Sequence, residues 1–218
     1  MINAVDFEQE NMEKTMTGLT LMTIGLFLEW IPDIDYLGIL LMIIGTIYMI
    51  MGRHGFGAKH SRYVGIAVAV YIIMFIIIVA TVLAFVFSIL SSYNNSTSSS
   101  TNTLPALFNE YLLVLIAMGA ILSLSYVILI WYISGSDGRK ILIVAYAAQI
   151  IISGVIFSVM TPQIDSALNN LNNFTAREAS LLSGIQSYSI LSAIPLLIYA
   201  YAYYLTRQRV KTWIEKQL

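Results

Sequence analysis

Two small clusters in this 218-residue chain have the residue types and spacing to do chemistry. The first is a pair of histidines, His54 and His60, set six positions apart among Arg53, Lys59 and Arg62. As metal or haem ligands they would have to draw a cation into a ring of positive charge. The same basic residues suit the headgroup of an anionic lipid, where each contributes about 1 kcal/mol. Arg53, Lys59 and Arg62 are therefore the candidate headgroup contacts, against the plainer reading of charges that set topology. The second cluster is Glu29, Asp33 and Asp35 around Pro32. Three carboxylates are the oxygen ligands that a hard cation such as Ca2+ takes, although carboxylates on an exposed turn are usually just solvated.

Nothing else assembles an activated group. Cysteine is absent, which removes disulfides, thiol chemistry and thiolate metal sites. No Asp falls inside an apolar run, as an intramembrane aspartyl protease requires, and no serine has a histidine base at comparable depth. The chain reads as a protein that is not an enzyme and carries no cofactor.

The remaining polar side chains are neutral. Gln149 and Ser153 lie one helical turn apart, and Gly119, Ser123 and Tyr126 share one helix face. Ser183, Gln186, Ser187, Ser189 and Ser192 precede Pro195. Ser123, Tyr126, Gln149, Ser153, Gln186 and Ser189 form a candidate polar pathway. The favoured alternative gives these groups to interhelical hydrogen bonds, worth about 0.6 kcal/mol each on average.

The elements that must position these residues follow from composition. Apolar residues make up 58% of the chain and charged residues 11%, and the mean hydropathy is +0.80. A soluble domain carries charge on about a quarter of its residues. Eleven Lys and Arg against twelve Asp and Glu leave no basic surface for nucleic acid. Six apolar runs, about 16–31, 37–52, 63–90, 107–133, 140–161 and 181–206, meet or approach the roughly 17–25 residues of a membrane span. Backbone exposed to lipid must satisfy its own hydrogen bonds, so each run is expected to be helical. The expected fold is an all-α polytopic bundle of six transmembrane helices, one membrane domain over 1–218.

Orientation follows from loop charge. Lys14, Arg53, Lys59, Arg62, Arg139, Lys140, Arg207, Arg209, Lys211 and Lys216 fall to one side and only Arg177 to the other. The positive-inside rule then puts both termini in the cytoplasm. Tyr63, Trp131, Tyr132, Tyr201, Tyr203 and Tyr204 mark the inner interface, and Trp30, Tyr36, Tyr93 and Tyr111 the outer one. An acidic N-terminus (Asp6, Glu8, Glu10, Glu13) argues against a cleavable signal.

Two polar outer loops are expected, 91–106 and 162–180. They hold glycosylation acceptor patterns at Asn94, Asn95 and Asn173. In the second loop Ile164, Leu168, Leu171 and Phe174 draw an apolar stripe, as on a surface-lying amphipathic helix.

The first two runs repeat a pattern, Gly18-Leu-Thr-Leu-Met-Thr-Ile-Gly25 and Gly38-Ile-Leu-Leu-Met-Ile-Ile-Gly45. Small residues let antiparallel helices approach closely, with Gly25 expected to face Gly45 and Gly18 to face Gly52. The stretch from Gly38 to Val64 carries this hairpin and a cytoplasmic turn, Gly52-Arg-His-Gly-Phe-Gly-Ala-Lys-His60. Over about the first 90 residues it resembles a group of archaeal multi-pass membrane proteins with no established activity. The resemblance implies an archaeal plasma membrane and carries over no functional residue.

Two functions fit these features. One is a non-catalytic membrane protein that organises lipids, partner membrane proteins or further copies of itself. The other is a channel or facilitator for a small neutral solute, lined by the fourth to sixth helices and selecting by diameter and hydrogen bonding.

Overall fold

The computed structural model describes residues 4–95, 103–169 and 174–216, with side chains described over 7–91, 107–163, 166 and 190–216. Six α-helices account for nearly all of them: α1 (Ala4–Leu28), α2 (Asp35–Gly52), α3 (Gly57–Asn95), α4 (Thr103–Trp131), α5 (Gly135–Asn169) and α6 (Phe174–Glu215). A 3-10 turn, Arg53–Phe56, joins α2 to α3. There is no strand among the described residues, so the Ile- and Val-rich runs are helical as expected.

Three stretches among the described residues, rather than six, are long and apolar enough to cross a membrane. They are Asp35–Ser91, Leu107–Trp131 and Gly135–Gln163. The apolar part of α1 is shorter, because the helix begins at Ala4 and its first half carries Glu8, Glu10, Glu13 and Lys14. In α6 the described side chains begin at Ile190, which leaves 17 residues before Arg207.

Helix bounds depart most from expectation at the loops. The helix α3 runs on to Asn95 and α4 starts at Thr103, which shortens the polar segment 91–106. The segment 162–180 is mostly helix: α5 continues through Pro162 to Asn169, and α6 begins at Phe174. The stripe of Ile164, Leu168, Leu171 and Phe174 is therefore divided between two helices, with Leu171 outside the described residues. The 39 residues of α3 reach about 58 Å, well beyond about 30 Å of hydrocarbon.

Neighbouring helices pack in the order α2, α1, α6, α5, α4, α3, with only slight contact of α2 with α3 and of α4 with α6. The core lies at one end, where α2 turns into α3 and α4 into α5. Leu19, Met22, Met49, Val64, Ile130, Leu142, Tyr199, Tyr203 and Val210 are all fully buried there. The Tyr203 hydroxyl donates to the Tyr126 carbonyl at 2.8 Å. Arg207 Nε donates to Thr20 Oγ1 at 2.7 Å, tying α6 to α1. Toward the other end α3 exposes Ile73, Phe75, Ile76 and Phe87.

The α1–α2 hairpin has a glycine seam in a different register from the expected one. Gly18 packs on Gly45 and Gly25 on Gly38. A Cβ on Gly18 would stand 2.7 Å from the Gly45 carbonyl oxygen, and one on Gly25 would stand 2.7 Å from that of Gly38. The turn sets this register. Leu28 ends α1 and Asp35 already begins α2, so the chain folds back about the Ile31–Pro32 bond and residues equidistant from it meet. Asp33 closes the turn at φ 70°, a left-handed conformation that Asp tolerates better than most residues. Gly52 lies beyond the seam, against Asn11 and Thr15, where Thr15 Oγ1 donates to its carbonyl at 3.1 Å.

Candidate functional site

Toward the end of the bundle away from this core, a cavity of about 360 Å3 lies between α4, α5 and α6. Leu115 and Gly119 of α4, Gln149, Ser153 and Ile156 of α5, and Ser192 of α6 are among its walls. Gly119 helps to keep it open, since a Cβ there would meet nothing within 4 Å. Gln149 Nε2 donates to the buried Ser153 Oγ at 3.3 Å, one turn along α5. An amide has two N–H donors and an acceptor oxygen, so this contact uses only part of its capacity. The site is thus a mainly aliphatic cleft with one amide–hydroxyl pair on α5 and the Ser192 hydroxyl on α6, fit for an apolar body with at most a few polar atoms.

The expected polar pathway is brought together only in part. Gln149 and Ser153 line the cavity. Ser123 is buried and donates to the Ala120 carbonyl of its own helix at 2.7 Å. Tyr126 packs edge-on against Tyr199 with ring centroids 5.9 Å apart. The face shared by Gly119, Ser123 and Tyr126 is therefore open at Gly119 and closed at Tyr126, where Tyr199 and Tyr203 of α6 reach α4. Gln186 and Ser189 lie outside the residues whose side chains are described. Sequence reasoning did not pick out Leu112, Leu115, Ile116, Ile152, Ile156 and Met160, the aliphatic walls. In a chain this apolar, residue type gives no signal for them.

The carboxylate cluster does not form. Among the described residues no group of three or more His, Asp or Glu side chains is placed to hold a metal ion. Glu29 Oε2 is buried with no hydrogen-bond partner, while Asp33 and Asp35 belong to the turn and the start of α2. Asp35, at the start of α2, stays near enough for its charge to act on Glu29, but the three carboxylates do not converge on one point.

The histidine pair separates too. His54 is exposed and accepts a hydrogen bond from Arg53 Nε at 3.1 Å. His60 is fully buried, edge-on to Phe56 at 5.4 Å and stacked on Tyr132 at 6.4 Å, and neither ring nitrogen has a partner. An open loop was expected here. The 3-10 turn and Gly57 at φ 80° instead start α3 at once, which turns His60 inward and leaves Lys59 and Arg62 exposed. A buried, unpaired imidazole costs about 1–3 kcal/mol. His60→Leu is expected to hold or raise the melting temperature in detergent, whereas His60→Lys should lower it sharply. A fall for the leucine variant would show that the ring nitrogens are used.

Asn94 and Asn95 form the last turn of α3, with side chains outside those described, and Asn173 lies outside the described residues. The chain matches no family model, no curated protein and no solved structure.

Proposed function

We propose that this chain is a non-catalytic integral membrane protein that organises lipids, and that the cleft between α4, α5 and α6 seats an apolar chain such as a lipid tail. The observation that carries this reading is the cleft itself. Its volume falls in the range of about 300–1,000 Å3 typical of ligand sites, and aliphatic walls with few polar groups are the lining such sites have. In this reading all six helices cross the membrane, including α6 and the shorter apolar part of α1. Both termini face the cytoplasm, the side holding ten of the eleven basic residues. The broad apolar flank of α3 meets lipid or a neighbouring membrane protein. Placement in an archaeal plasma membrane rests on the resemblance of the first 90 residues alone.

Transport of a small neutral solute is the weaker reading. A continuous path needs polar groups at successive depths, and Ser123 and Tyr126 are engaged in the packed end instead.

The test uses Gly119→Leu, which fills open space rather than clashing. The variant is expected to fold and to lose most of the phospholipid that the wild type retains, as read by native mass spectrometry. Equal retention by both proteins rejects the cleft as a lipid site. Solute flux into proteoliposomes that Gln149→Leu abolishes would favour the transport reading.

A further inference from the structure

The packed end of the molecule carries a second cavity, of about 430 Å3, walled by Met12, Gly55, Phe56, Tyr132, Trp213 and Lys216. These residues come from α1, the 3-10 turn, the α4–α5 connection and the tail of α6, so the pocket exists only because those chain ends converge. Close packing builds its floor: a Cβ on Gly55 would stand 2.8 Å from the Met12 backbone nitrogen. The aromatic walls support one another. Phe56 lies against Trp213 with centroids 5.4 Å apart, and the buried His60 backs both Phe56 and Tyr132.

Charge at this pocket is unbalanced. Lys216 forms part of the wall, and the Arg209 guanidinium lies 4.7 Å from the Trp213 ring centre. Glu215 pairs with Lys211 at 3.7 Å and Glu10 with Lys14 at 2.7 Å, while Glu13, next in sequence to Met12, accepts from Gln9 Nε2 at 3.2 Å. No ion pair among the described residues includes Lys216 or Arg209. An aromatic, thioether-lined pocket with Lys216 in its wall and Arg209 on the ring of its Trp213 suits an amphiphile that has an apolar body and an anionic head. It disfavours a cationic guest, although aromatic walls alone would accept one.

We propose that this pocket binds an anionic phospholipid, with the phosphate at Lys216 and Arg209 and the glycerol and upper acyl carbons against Phe56, Tyr132 and Trp213. Continuity with the apolar flank favours a lipid over a soluble organic phosphate. Tyr132, 37% exposed, stacks on Tyr63 at 6.3 Å, where the apolar run of α3 begins. The proposal rests on the membrane reading above, and it moves the headgroup site from Arg53, Lys59 and Arg62 to the tail of α6.

Tryptophan quenching tests it in the full chain. With Trp30→Phe and Trp131→Phe, Trp213 becomes the sole tryptophan. The protein is placed in vesicles of phosphatidylcholine containing either brominated phosphatidylglycerol or brominated phosphatidylcholine. The anionic lipid is expected to quench Trp213 at a lower mole fraction, and Lys216→Gln to reduce that preference about fivefold, the weight of one basic side chain at an anionic surface. Equal quenching by the two lipids overturns the proposal, as does a preference unchanged by Lys216→Gln. Relief of quenching by millimolar glycerol phosphate also overturns it, by showing a soluble-phosphate site. A separate reporter checks the membrane reading: Phe75→Trp, with all three native tryptophans changed to Phe. If both lipids quench it while Trp213 shows no preference, the pocket proposal alone fails. If neither lipid quenches it, the membrane reading fails.

Discussion

Gly25→Leu is expected to separate α1 from α2 and cost about 3 kcal/mol or more, a large share of an ordinary stability of about 5–15 kcal/mol. The reason is local and steric. A first side-chain carbon at Gly25 would already stand 2.6 Å from Met42 Cγ and 2.7 Å from the Gly38 carbonyl oxygen. Methionine can swing aside, but the carbonyl belongs to the facing helix and moves only with it. Intrinsic helix preference works the other way, favouring a larger residue over glycine by about 1 kcal/mol. The sign of the change therefore reports on the seam rather than on the helix. Gly154→Ala supplies the control, since a Cβ there meets nothing within 4 Å and α5 should be unharmed or slightly stabilised. Melting temperatures in one detergent, read on all three proteins, decide the matter. If Gly25→Leu melted with the wild type, the two helices would not be in contact along this line.

Ile76→Arg is expected to reduce membrane insertion strongly, by about 2.5–3.5 kcal/mol on insertion scales for a charge at mid-span. Ile76 is 60% exposed near the middle of α3, and its neighbours Ile72, Ile73 and Phe75 are more than half exposed as well. An arginine in water at such a position would be harmless or would help solubility, so water and lipid predict opposite outcomes. Thr212→Lys, on the exposed side of the α6 tail, should leave insertion unchanged. The readout is the fraction of expressed protein recovered in carbonate-washed membranes. Full recovery of the Ile76→Arg variant would mean that this flank faces neither lipid nor an apolar partner.

These outcomes bear on what was legible in the residues themselves. The glycine spacing announces a close hairpin, and the hairpin is there. Its register was missed by seven residues on each pairing because the pattern repeats every seven and cannot choose among its own repeats. The length of the turn makes that choice. The sequence places His60 in a cytoplasmic turn, yet a single positive-φ glycine, Gly57, begins the helix that buries it. Gln149 and Ser153 were legible as a pair, because one helical turn puts them side by side. That they border the cavity between α4, α5 and α6 while Ser123 and Tyr126 do not is not legible, because it depends on how far α6 lies from α4 at each level.

The residues alone determine that this chain is helical and has stretches long and apolar enough to cross a membrane, since such runs, nearly free of charge, leave the backbone no partner but itself. They also determine that basic side chains gather at one end, because charge is read directly from composition and order. Helix rotation, the pairing of glycines and the location of both cavities are decided only in the folded molecule. Apolar residues cover every side of α3 and α4, buried at Val64 and Ile130 and exposed at Ile76 and Ile121 alike. Periodicity then carries little record of which side faces a neighbour, and close packing between particular side chains supplies the choice.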